Sequence, residues 1–381
     1  MNKWQMKPLG ELCLIERGGS PRPIDKYITD SPDGINWIKI GDTTESMYIS
    51  RTKEKIIPEG MKKSRYVQKG DFLLSNSMSF GRPYILDIDG CIHDGWLVIR
   101  DNDGLFDKRF LYYFLGSPVT YQKFKSMAVG GVVNNLNIDM VKRIPVPMLS
   151  LDEQRKIANE LDKVTELVGL QKQQLTKLDE LVKSRFIELF VDKNFPEITI
   201  GELVSSKVSS VKKVFLPTDT IKYIDISSID NKRNIMTGYT EYILEDAPSR
   251  AQQHIRKGDI VVSTVRPNLK NVAITDYDYD NLVASSGFCV LRAEKCLPSY
   301  LIAVVCSDDF TDAMTKVVTG ANYPAIKDSD VRNYVVPNPP IELQDQFAAF
   351  VEQTDKSKFE VNKSLEKLEI LKKALMQKYF G

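Results

Sequence analysis

The chain has 381 residues, of which 42% are hydrophobic and 27% charged, and its net charge is +1. This length suffices for two domains, the composition is that of a globular protein, and no apolar run approaches the roughly 20 residues of a membrane helix. We therefore expect a cytoplasmic protein with no membrane segment. Residues 1–148 carry a net charge of +4 and residues 197–340 a net charge of −2. Bulk charge alone would not hold nucleic acid, so local basic loops or a basic partner would have to contribute.

The cysteines and histidines do not form a metal-ligand pattern. No two cysteines stand in a Cys-x-x-Cys pair, and only His93 and His254 could assist them. We predict no metal site, and an odd number of scattered cysteines fits a reducing compartment. The cysteines are Cys13, Cys91, Cys289, Cys296 and Cys306.

Residues 1–148 are predicted to form a first α+β domain. Short apolar or alternating runs at 37–40, 72–74 and 96–99 are bounded by Gly, Asp and Pro, as is typical of strands. A helical stretch is predicted near 109–125. The segment 149–192 follows as a long helix, because residues 152–190 contain no proline and a single glycine, Gly169.

This helix carries an apolar seam with alternating spacings of four and three residues, interrupted by Gln171 and Arg185. Such spacing is typical of a coiled coil. The seam residues are Ile157, Leu161, Val164, Val168, Leu175, Leu178, Val182 and Leu189.

The second half of the chain repeats the first. Gly10-Glu11-Leu12 recurs at 201–203, Lys69-Gly70-Asp71 recurs at 257–259, and a Pro-x-Pro pair at Pro145 and Pro147 is matched to Pro337 and Pro339. The offsets are 191, 188 and 192. Residues 193–340 are therefore predicted to form a second domain of the same plan, with strands at 223–226, 260–262 and 288–291 and a helical stretch at 299–316.

Residues 341–381 are predicted to form a second long helix, whose seam superimposes on the first at an offset of 190. We expect the two helices to pair antiparallel, which would relate the two α/β domains by a pseudo-twofold axis. The alternative is two independent helices, each packed on its own domain. The second seam consists of Phe347, Val351, Val361, Leu365, Leu368, Leu375 and Tyr379, interrupted by Thr354, Lys358 and Lys372.

No catalytic motif is recognisable. There is no phosphate-binding Gly-x-x-x-x-Gly-Lys loop, no Gly-x-Ser-x-Gly elbow, and the two histidines fall in different domains. Asn338-Pro339-Pro340-Ile341 resembles the Asn-Pro-Pro-aromatic motif of adenine methyltransferases, but Ile341 replaces the aromatic residue. We interpret this segment as a proline hinge before the helix.

Loops rich in Gly, Ser, Asn and Arg are the candidate functional segments of both domains. Arg can bind guanine and Asn adenine through two hydrogen bonds, while Ser, Thr and backbone amides bind phosphates. The same composition also occurs in ordinary surface turns. The candidate DNA-binding residues are Arg17, Ser20, Arg22, Ser75, Asn76, Ser79, Arg82, Asn134, Asn135, Ser263, Thr264, Arg266, Asn268, Lys270, Asn322 and Tyr323.

These motifs follow one another in a characteristic order. Over essentially its whole length, the chain resembles the specificity subunit of type I restriction-modification systems. The segments that carry the resemblance are 8–12 with Gly18-Gly19-Ser20-Pro21, 37–42, Lys69-Gly70-Asp71, 144–147 followed by Leu151-Asp152-Glu153-Gln154, 258–269, Ser285-Ser286-Gly287-Phe288, and 339–343 with Gln346.

The resemblance implies two target recognition domains that each read half of a bipartite, asymmetric sequence in double-stranded DNA. It also implies helices that set the spacer and dock two methyltransferase subunits, with restriction and translocation subunits joining the complex. The subunit itself would be non-catalytic and would hold no cofactor, whereas S-adenosylmethionine, ATP and Mg²⁺ would belong to its partners. One departure is the second hinge, Leu343-Gln344-Asp345-Gln346, which has Asp345 where the family has Glu.

Two other functions remain open from the residues alone. One is a coiled-coil scaffold whose domains bind protein, and the other is a single-chain DNA methyltransferase or nuclease fragment.

Overall fold

Both predicted repeats fold into mixed domains of sheets and short helices, and each is followed by a 40-residue helix. The computed structural model describes residues 4–77, 80–128, 135–191, 193–206, 208–320 and 324–381. The chain divides into two units: unit 1 contains residues 1–172 and 363–381, and unit 2 contains residues 173–362. Each long helix therefore contributes residues to both units.

The first repeat contains twelve strands and six helices within the described residues. Its strands are β1 (Met6–Pro8), β2 (Leu14–Arg17), β3 (Ile28–Thr29), β4 (Ile35–Ile38), β5 (Tyr48–Ile49), β6 (Glu54–Ile56), β7 (Arg65–Val67), β8 (Phe72–Ser75), β9 (Pro83–Leu86), β10 (Gly90–Ile92), β11 (Trp96–Arg100) and β12 (Pro145–Pro147). Its helices are α1 (Leu9–Leu12), α2 (Pro58–Met61), α3 (Lys108–Leu115), α4 (Pro118–Ala128), α5 (Ile138–Lys142) and α6 (Leu151–Phe190).

The second repeat follows the same plan, with eleven strands and five helices within the described residues. Its strands are β13 (Glu197–Thr199), β14 (Thr220–Ile224), β15 (Ile229–Asp230), β16 (Ile235–Met236), β17 (Thr240–Ile243), β18 (Ala251–His254), β19 (Ile260–Ser263), β20 (Val272–Ile274), β21 (Leu282–Ser285), β22 (Phe288–Leu291) and β23 (Val335–Pro337). Its helices are α7 (Ile200–Leu203), α8 (Pro298–Val305), α9 (Asp308–Lys316), α10 (Asp328–Arg332) and α11 (Ile341–Phe380).

Each repeat has a central sheet that is buried on both faces. In the first repeat its order is β2-β11-β8-β9-β5, and in the second β15-β16-β20-β19-β22. Along β11, Leu97 and Ile99 join the core under the helices, whereas Trp96 and Val98 join the core under the second sheet. This two-sided burial explains why the strands read as continuous apolar runs rather than alternating ones. The second sheets have the orders β3-β6-β4-β10-β7 and β17-β14-β21-β18.

The repeated Lys-Gly-Asp motif forms the turn that leads into β8 and β19. Gly70 and Gly258 hold φ values of +90° and +86°, a region that favours glycine. In unit 2, the Asp259 carboxylate accepts the Arg256 amide at 2.9 Å and forms a two-point ion pair with Arg292, at 2.8 and 2.6 Å. Both turns need a glycine at this position, followed by an aspartate whose carboxylate serves as an anion inside the domain, which explains why the motif recurs.

The Pro-x-Pro pairing of the two hinges was wrong. β12 and β23 pair antiparallel with β1 and β13, and the partners Met6↔Pro147 and Glu197↔Pro337 make Pro147 the counterpart of Pro337. The offset is 190, the same as between the first residues of α6 and α11, Leu151 and Ile341. The counterpart of Pro145 is Val335, so the segment is a strand in both repeats rather than a proline hinge alone.

The same offset also corrects which glutamine of the second hinge corresponds to Gln154. Gln154 accepts the Asp107 amide at 2.9 Å, and its counterpart Gln344, not Gln346, accepts the Leu297 amide at 2.8 Å. Both side chains are buried, and each ties the first turn of a long helix to the residue that precedes α3 or α8. The second helix therefore begins with Ile341-Glu342-Leu343-Gln344, the counterpart of Leu151-Asp152-Glu153-Gln154 in the first helix.

Each predicted helical stretch within the domains proved to be two helices. The break falls at Gly116-Ser117 in the first repeat and at Cys306-Ser307 in the second. Ser307 accepts the Phe310 amide through its hydroxyl and so starts α9 as an N-cap. Apolar residues keep a helical spacing across each break, so the sequence did not reveal that each stretch is divided into two helices.

Within each unit, the two long helices run antiparallel. In unit 1, Tyr379 near the end of α11 hydrogen-bonds Glu160 near the start of α6. In unit 2, Phe190 at the end of α6 packs on Phe347 near the start of α11, with ring centroids 5.5 Å apart. The seam residues Ile157, Leu161, Val164, Val168, Phe347 and Val361 are buried, and the remaining seam residues are half-buried.

The end of each long helix packs on the domain of the other repeat. Phe190 ends the first repeat's helix, and its ring lies 5.0 Å from that of Tyr300 in α8 of the second repeat. Phe380 ends the second repeat's helix, and its ring lies 5.7 Å from both Phe110 and Phe114 in α3 of the first repeat. Neither repeat completes its core from its own residues.

Candidate nucleic-acid interface

The second candidate loop of unit 1, in chain order, connects β8 to β9. Ser75 is paired to Arg82 across the turn by two hydrogen bonds, from the Ser75 amide to the Arg82 carbonyl and from the Arg82 amide to the Ser75 hydroxyl. Gly81 adopts a φ of +78° beside Phe124, where an added Cβ would stand 3.0 Å from the ring. The Arg82 side chain is exposed at the base of this turn.

The loop that follows β2 is held by Asp94, a residue of the β10–β11 turn. The Asp94 carboxylate accepts the Ser20 hydroxyl at 2.8 Å and lies 3.7 Å from the Arg22 guanidinium. Its backbone carbonyl accepts Arg17 Nε and Asn76 Nδ2, both at 3.0 Å. Four candidate residues from two loops therefore converge on one turn.

Electrostatics keep Asp94 ionised within this network. Burial raises the pKa of the Asp94 carboxyl, but hydrogen bonds from Ser20 and His93 outweigh it and hold the pKa below its usual value. Burial also lowers the pKa of His93. An anion at the centre of the loop offsets part of the charge of Arg17 and Arg22 and restrains their positions.

The third loop of each repeat is attached to the second by the same backbone hydrogen bond. The Leu136 amide donates to the Asn76 carbonyl in unit 1, and the Ile326 amide donates to the Thr264 carbonyl in unit 2. Asn135, immediately before Leu136, is half-buried. The structure thus brings the second and third candidate loops together in both repeats.

In unit 2, the loop between β19 and β20 has an unusual backbone. Arg266 and Lys270 adopt φ values of +50° and +51° at the two ends of a short 3-10 turn, Pro267–Leu269. Non-glycine residues held in this region are strained, and such strain clusters at functional sites. Arg266 and Asn268 are exposed, whereas Lys270 forms an ion pair with Asp308.

Unit 2 also has a serine-rich segment between α7 and β14, and its Ser209 and Ser210 lie apart from the loops described above. The Ser209 carbonyl accepts the His254 amide, and Ser210 forms a bridge with Gln253 of β18. Ser209 and Ser210 therefore extend the sheet that contains β18, and in the described part of unit 2 no hydrogen bond joins them to the other two candidate loops.

Three candidate residues are not on the surface. Ser75 and Asn76 are each 1% exposed and Ser263 is 2% exposed. The Ser263 hydroxyl donates to the Val265 carbonyl at 2.9 Å, so it shapes the turn. These three side chains support the loops, since the Ser75 hydroxyl accepts the Arg82 amide and the Asn76 amide nitrogen donates to the Asp94 carbonyl, whereas the buried Asn76 Oδ1 has no hydrogen-bond partner among the described residues. Thr264 likewise donates its hydroxyl to Gly287. Ser79, Asn134, Asn322 and Tyr323 lie outside the described residues.

Asp94 and His93 were missed from the sequence. His93 was considered only as a metal ligand, whereas its Nε2 accepts the Ile40 amide at 3.1 Å. The signal was the Asp94-Gly95 dipeptide between two strands, which is typical of a turn. That this turn would meet the 17–22 loop depends on sheet pairing between distant segments.

No set of three His, Cys, Asp or Glu side chains in the described residues is placed to hold a metal ion. All five cysteines are free, and burial raises the pKa of the Cys13 and Cys289 thiols to about 12. In the part of the chain that the structure describes, no helix is long and apolar enough to span a membrane.

Comparison with known proteins identifies the family. The model of the type I restriction modification DNA specificity domain matches residues 1–180 and again residues 193–372. The MjaVIII specificity subunit of Methanocaldococcus jannaschii is 22% identical over 398 aligned positions, covering 98% of this chain and 91% of the relative. The EcoKI specificity subunit of Escherichia coli K12 is 22% identical and covers 74% of this chain and 67% of the relative.

Solved structures show the same fold. A chain from a study of assembly and conformational transition in a type I restriction-modification system aligns with a TM-score of 0.60 at 18% identity, covering 100% of this chain and 98% of that one. The S subunit from M. genitalium aligns with a TM-score of 0.55 at 17% identity, covering 100% and 97%. The related chains are named specificity subunits, which are the non-catalytic members of these systems. With two copies of the family domain that together span most of its length, the chain belongs to the type I restriction-modification DNA specificity family.

Proposed function

We propose that this chain reads a bipartite, asymmetric target in double-stranded DNA, with each repeat recognising one part. The observation that carries the proposal is that both repeats join their second and third loops by the same hydrogen bond, while the residues presented there differ. Unit 1 presents Arg82 on a glycine turn, and unit 2 presents Arg266 and Asn268 on a strained turn. A common scaffold with different loop chemistry is what two different half-sites require.

We further propose that methyltransferase subunits dock on the long helices and that restriction and translocation subunits join the complex. Large apolar side chains on these helices remain exposed, which is typical of a protein contact surface. In unit 1 they are Leu167, Leu170, Ile370 and Leu371, and in unit 2 Leu181, Ile187 and Phe359. S-adenosylmethionine, ATP and Mg²⁺ would be held by those partners.

Exchange of residues 1–148 for the corresponding domain of another family member tests the division of labour. We expect one part of the methylated sequence to change and the other to persist, because each repeat carries its own loops. Methylome sequencing of a host that expresses the hybrid with its methyltransferase measures both parts at once.

The reciprocal exchange of residues 193–340 is the control and should change only the other part. Alteration of both parts by either exchange, or of neither, would contradict the modular reading. Retained binding without sequence preference would instead favour the scaffold function.

Substitution of Arg266 is the most direct single-residue test of DNA recognition by unit 2. The Arg266→Ala variant is expected to lose about 1–3 kcal/mol of discrimination at one base pair of the second half-site, since an exposed guanidinium on a rigid turn can contact one base. Measuring the binding of DNA duplexes that carry a substitution at each position of the target, with the methyltransferase present, gives the discrimination profile. Arg233→Ala, an exposed arginine outside the 263–270 loop, is the matched control and should leave the profile unchanged.

A further inference from the structure

Unit 1 contains a cavity of about 500 Å³ whose lining shares only Arg82 with the residues proposed to read the DNA sequence. It lies between the β8–β9 turn, the helices α3 and α4, and the last turns of α11. Its lining combines aromatic rings and two basic side chains with one solvent-exposed carboxylate, that of Glu45. The aromatic and basic contributors include Phe80, Arg82, Tyr84, Tyr112, Tyr121 and Lys372.

Two kinds of group meet in this cavity. Phe80 and Tyr121 stack with ring centroids 5.8 Å apart and an interplanar angle of 18°, so that the pair offers an aromatic face against which a further planar ring can stack. Lys372 is half-buried, and no hydrogen bond or ion pair to its ammonium group is found among the described residues. A planar ring and an anion are the ligand groups that such a lining complements.

Lys372 is held in an unfavourable position. Burial and the neighbouring Lys172 lower its pKa. Lys172 itself is 3.8 Å from Glu45, a residue at the cavity rim. Lys372 is thus a half-buried cation with a like charge nearby that Glu369 offsets only in part, and an anionic ligand beside its ammonium group would stabilise it.

The second repeat shows that the fold does not require this lining. Lys372 corresponds to Val182, because the two long helices begin 190 residues apart at Leu151 and Ile341. Val182 is part of the apolar cluster of unit 2. An apolar residue therefore fills this seam position well, and the lysine serves something other than packing.

The aromatic residues of the cavity are likewise replaced by non-aromatic residues at the corresponding positions of the second repeat. α3 and α8 begin at Lys108 and Pro298, which makes Ile302 the counterpart of Tyr112. α4 and α9 begin at Pro118 and Asp308, which makes Thr311 the counterpart of Tyr121. Strand registers make Ala273 the counterpart of Tyr84. The ring-lined, cationic cavity is therefore a property of unit 1 alone among the described residues.

We propose that this cavity binds a nucleotide, with its base against the Tyr121 and Phe80 rings and its phosphate beside Lys372 and Arg82. The inference goes beyond the proposed function, since the site needs no recognition of a DNA sequence. The nucleotide could be free in solution or could be an unpaired nucleotide of bound DNA, and both share the same chemistry.

Calorimetric titration of the full chain with deoxynucleoside monophosphates, the corresponding nucleosides and inorganic phosphate tests the assignment. We expect monophosphates to bind at least about tenfold more tightly than nucleosides or phosphate alone, a difference of about 1.4 kcal/mol. Competition by a short single-stranded oligonucleotide would assign the site to a nucleotide of DNA, and its failure to compete would assign the site to a free nucleotide.

Two variants borrow residues from the second repeat, so that folding is preserved. Lys372→Val and Tyr121→Thr should each weaken the binding of monophosphates about tenfold, while thermal unfolding of Lys372→Val occurs at an unchanged or higher temperature. Lys373→Val, an exposed lysine on the same helix, is the control and should bind normally. Absence of binding at millimolar nucleotide, equal binding of inorganic phosphate, or full binding by Lys372→Val would each overturn the proposal.

Discussion

The Asp259→Asn variant is expected to lose about 3–5 kcal/mol of unfolding free energy, because the substitution leaves the Arg292 cation partly buried without its counter-charge. Asp259 is 1% exposed, and its carboxylate also caps the turn that leads into β19. The neutral amide keeps the size of the side chain but can accept only part of these hydrogen bonds. Chemical denaturation followed by circular dichroism measures the loss.

The control is Glu352→Gln, which breaks a surface ion pair with Lys356 at 2.7 Å on α11. Both of these side chains are about three-quarters exposed, so the expected loss is within about 0.5 kcal/mol. Similar losses in the two variants would show that Asp259 acts as a surface charge. The double variant Asp259→Asn/Arg292→Met should be less destabilised than Asp259→Asn alone, since no unpaired cation remains.

The second large effect is expected from the aromatic residues that end the long helices. Phe190→Ala should cost about 3–5 kcal/mol, the usual range for removing a buried phenylalanine ring. The loss should appear in unit 2, because Phe190 packs on Tyr300 and Phe347, although it belongs to the helix of the first repeat. Hydrogen exchange followed by mass spectrometry would show faster exchange in α8.

Phe380→Ala is expected to give the converse result, faster hydrogen exchange in α3, because the Phe380 ring packs on Phe110 and Phe114. Phe359→Ala, whose ring is 65% exposed on α11, is the control and should change neither pattern. Faster exchange in α3 caused by Phe190→Ala would mean that each helix end serves its own repeat, which would contradict the observed packing.

Much of the architecture could be predicted from the sequence because its signals are local. A 3.6-residue period and the absence of proline predict α6 and α11 to within a few residues of their ends. Apolar runs bounded by turn residues predicted β8, β11, β19 and β22, since strand formation there depends on neighbours along the chain. The offsets of Pro147 and Gln344 were misjudged because short motifs were matched by residue type, whereas strand register decides the true counterparts.

The candidate site was less predictable for a physical reason. Ser75, Asn76 and Ser263 are residue types typical of exposed turns, yet all three are buried, and the Ser75 hydroxyl, the Asn76 amide nitrogen and the Ser263 hydroxyl form hydrogen bonds with backbone groups. Serine and asparagine serve equally well in either setting, so composition does not distinguish them. Asp94 carries no signal beyond its turn, because its role comes from residues more than 70 positions away.

Two copies of one module that alternate with two long helices can be recognised from the residues alone, because repetition and helical periodicity are properties of neighbouring residues. Which half of each helix completes which core depends on the packing of the folded chain. Glu160 and Tyr379, which are 219 positions apart, meet in unit 1. The same packing also decided that Lys372 lies in a ring-lined cavity while its counterpart Val182 lies in an apolar core. Such contacts depend on packing between distant segments, and the free energy of that packing cannot be read from either segment alone.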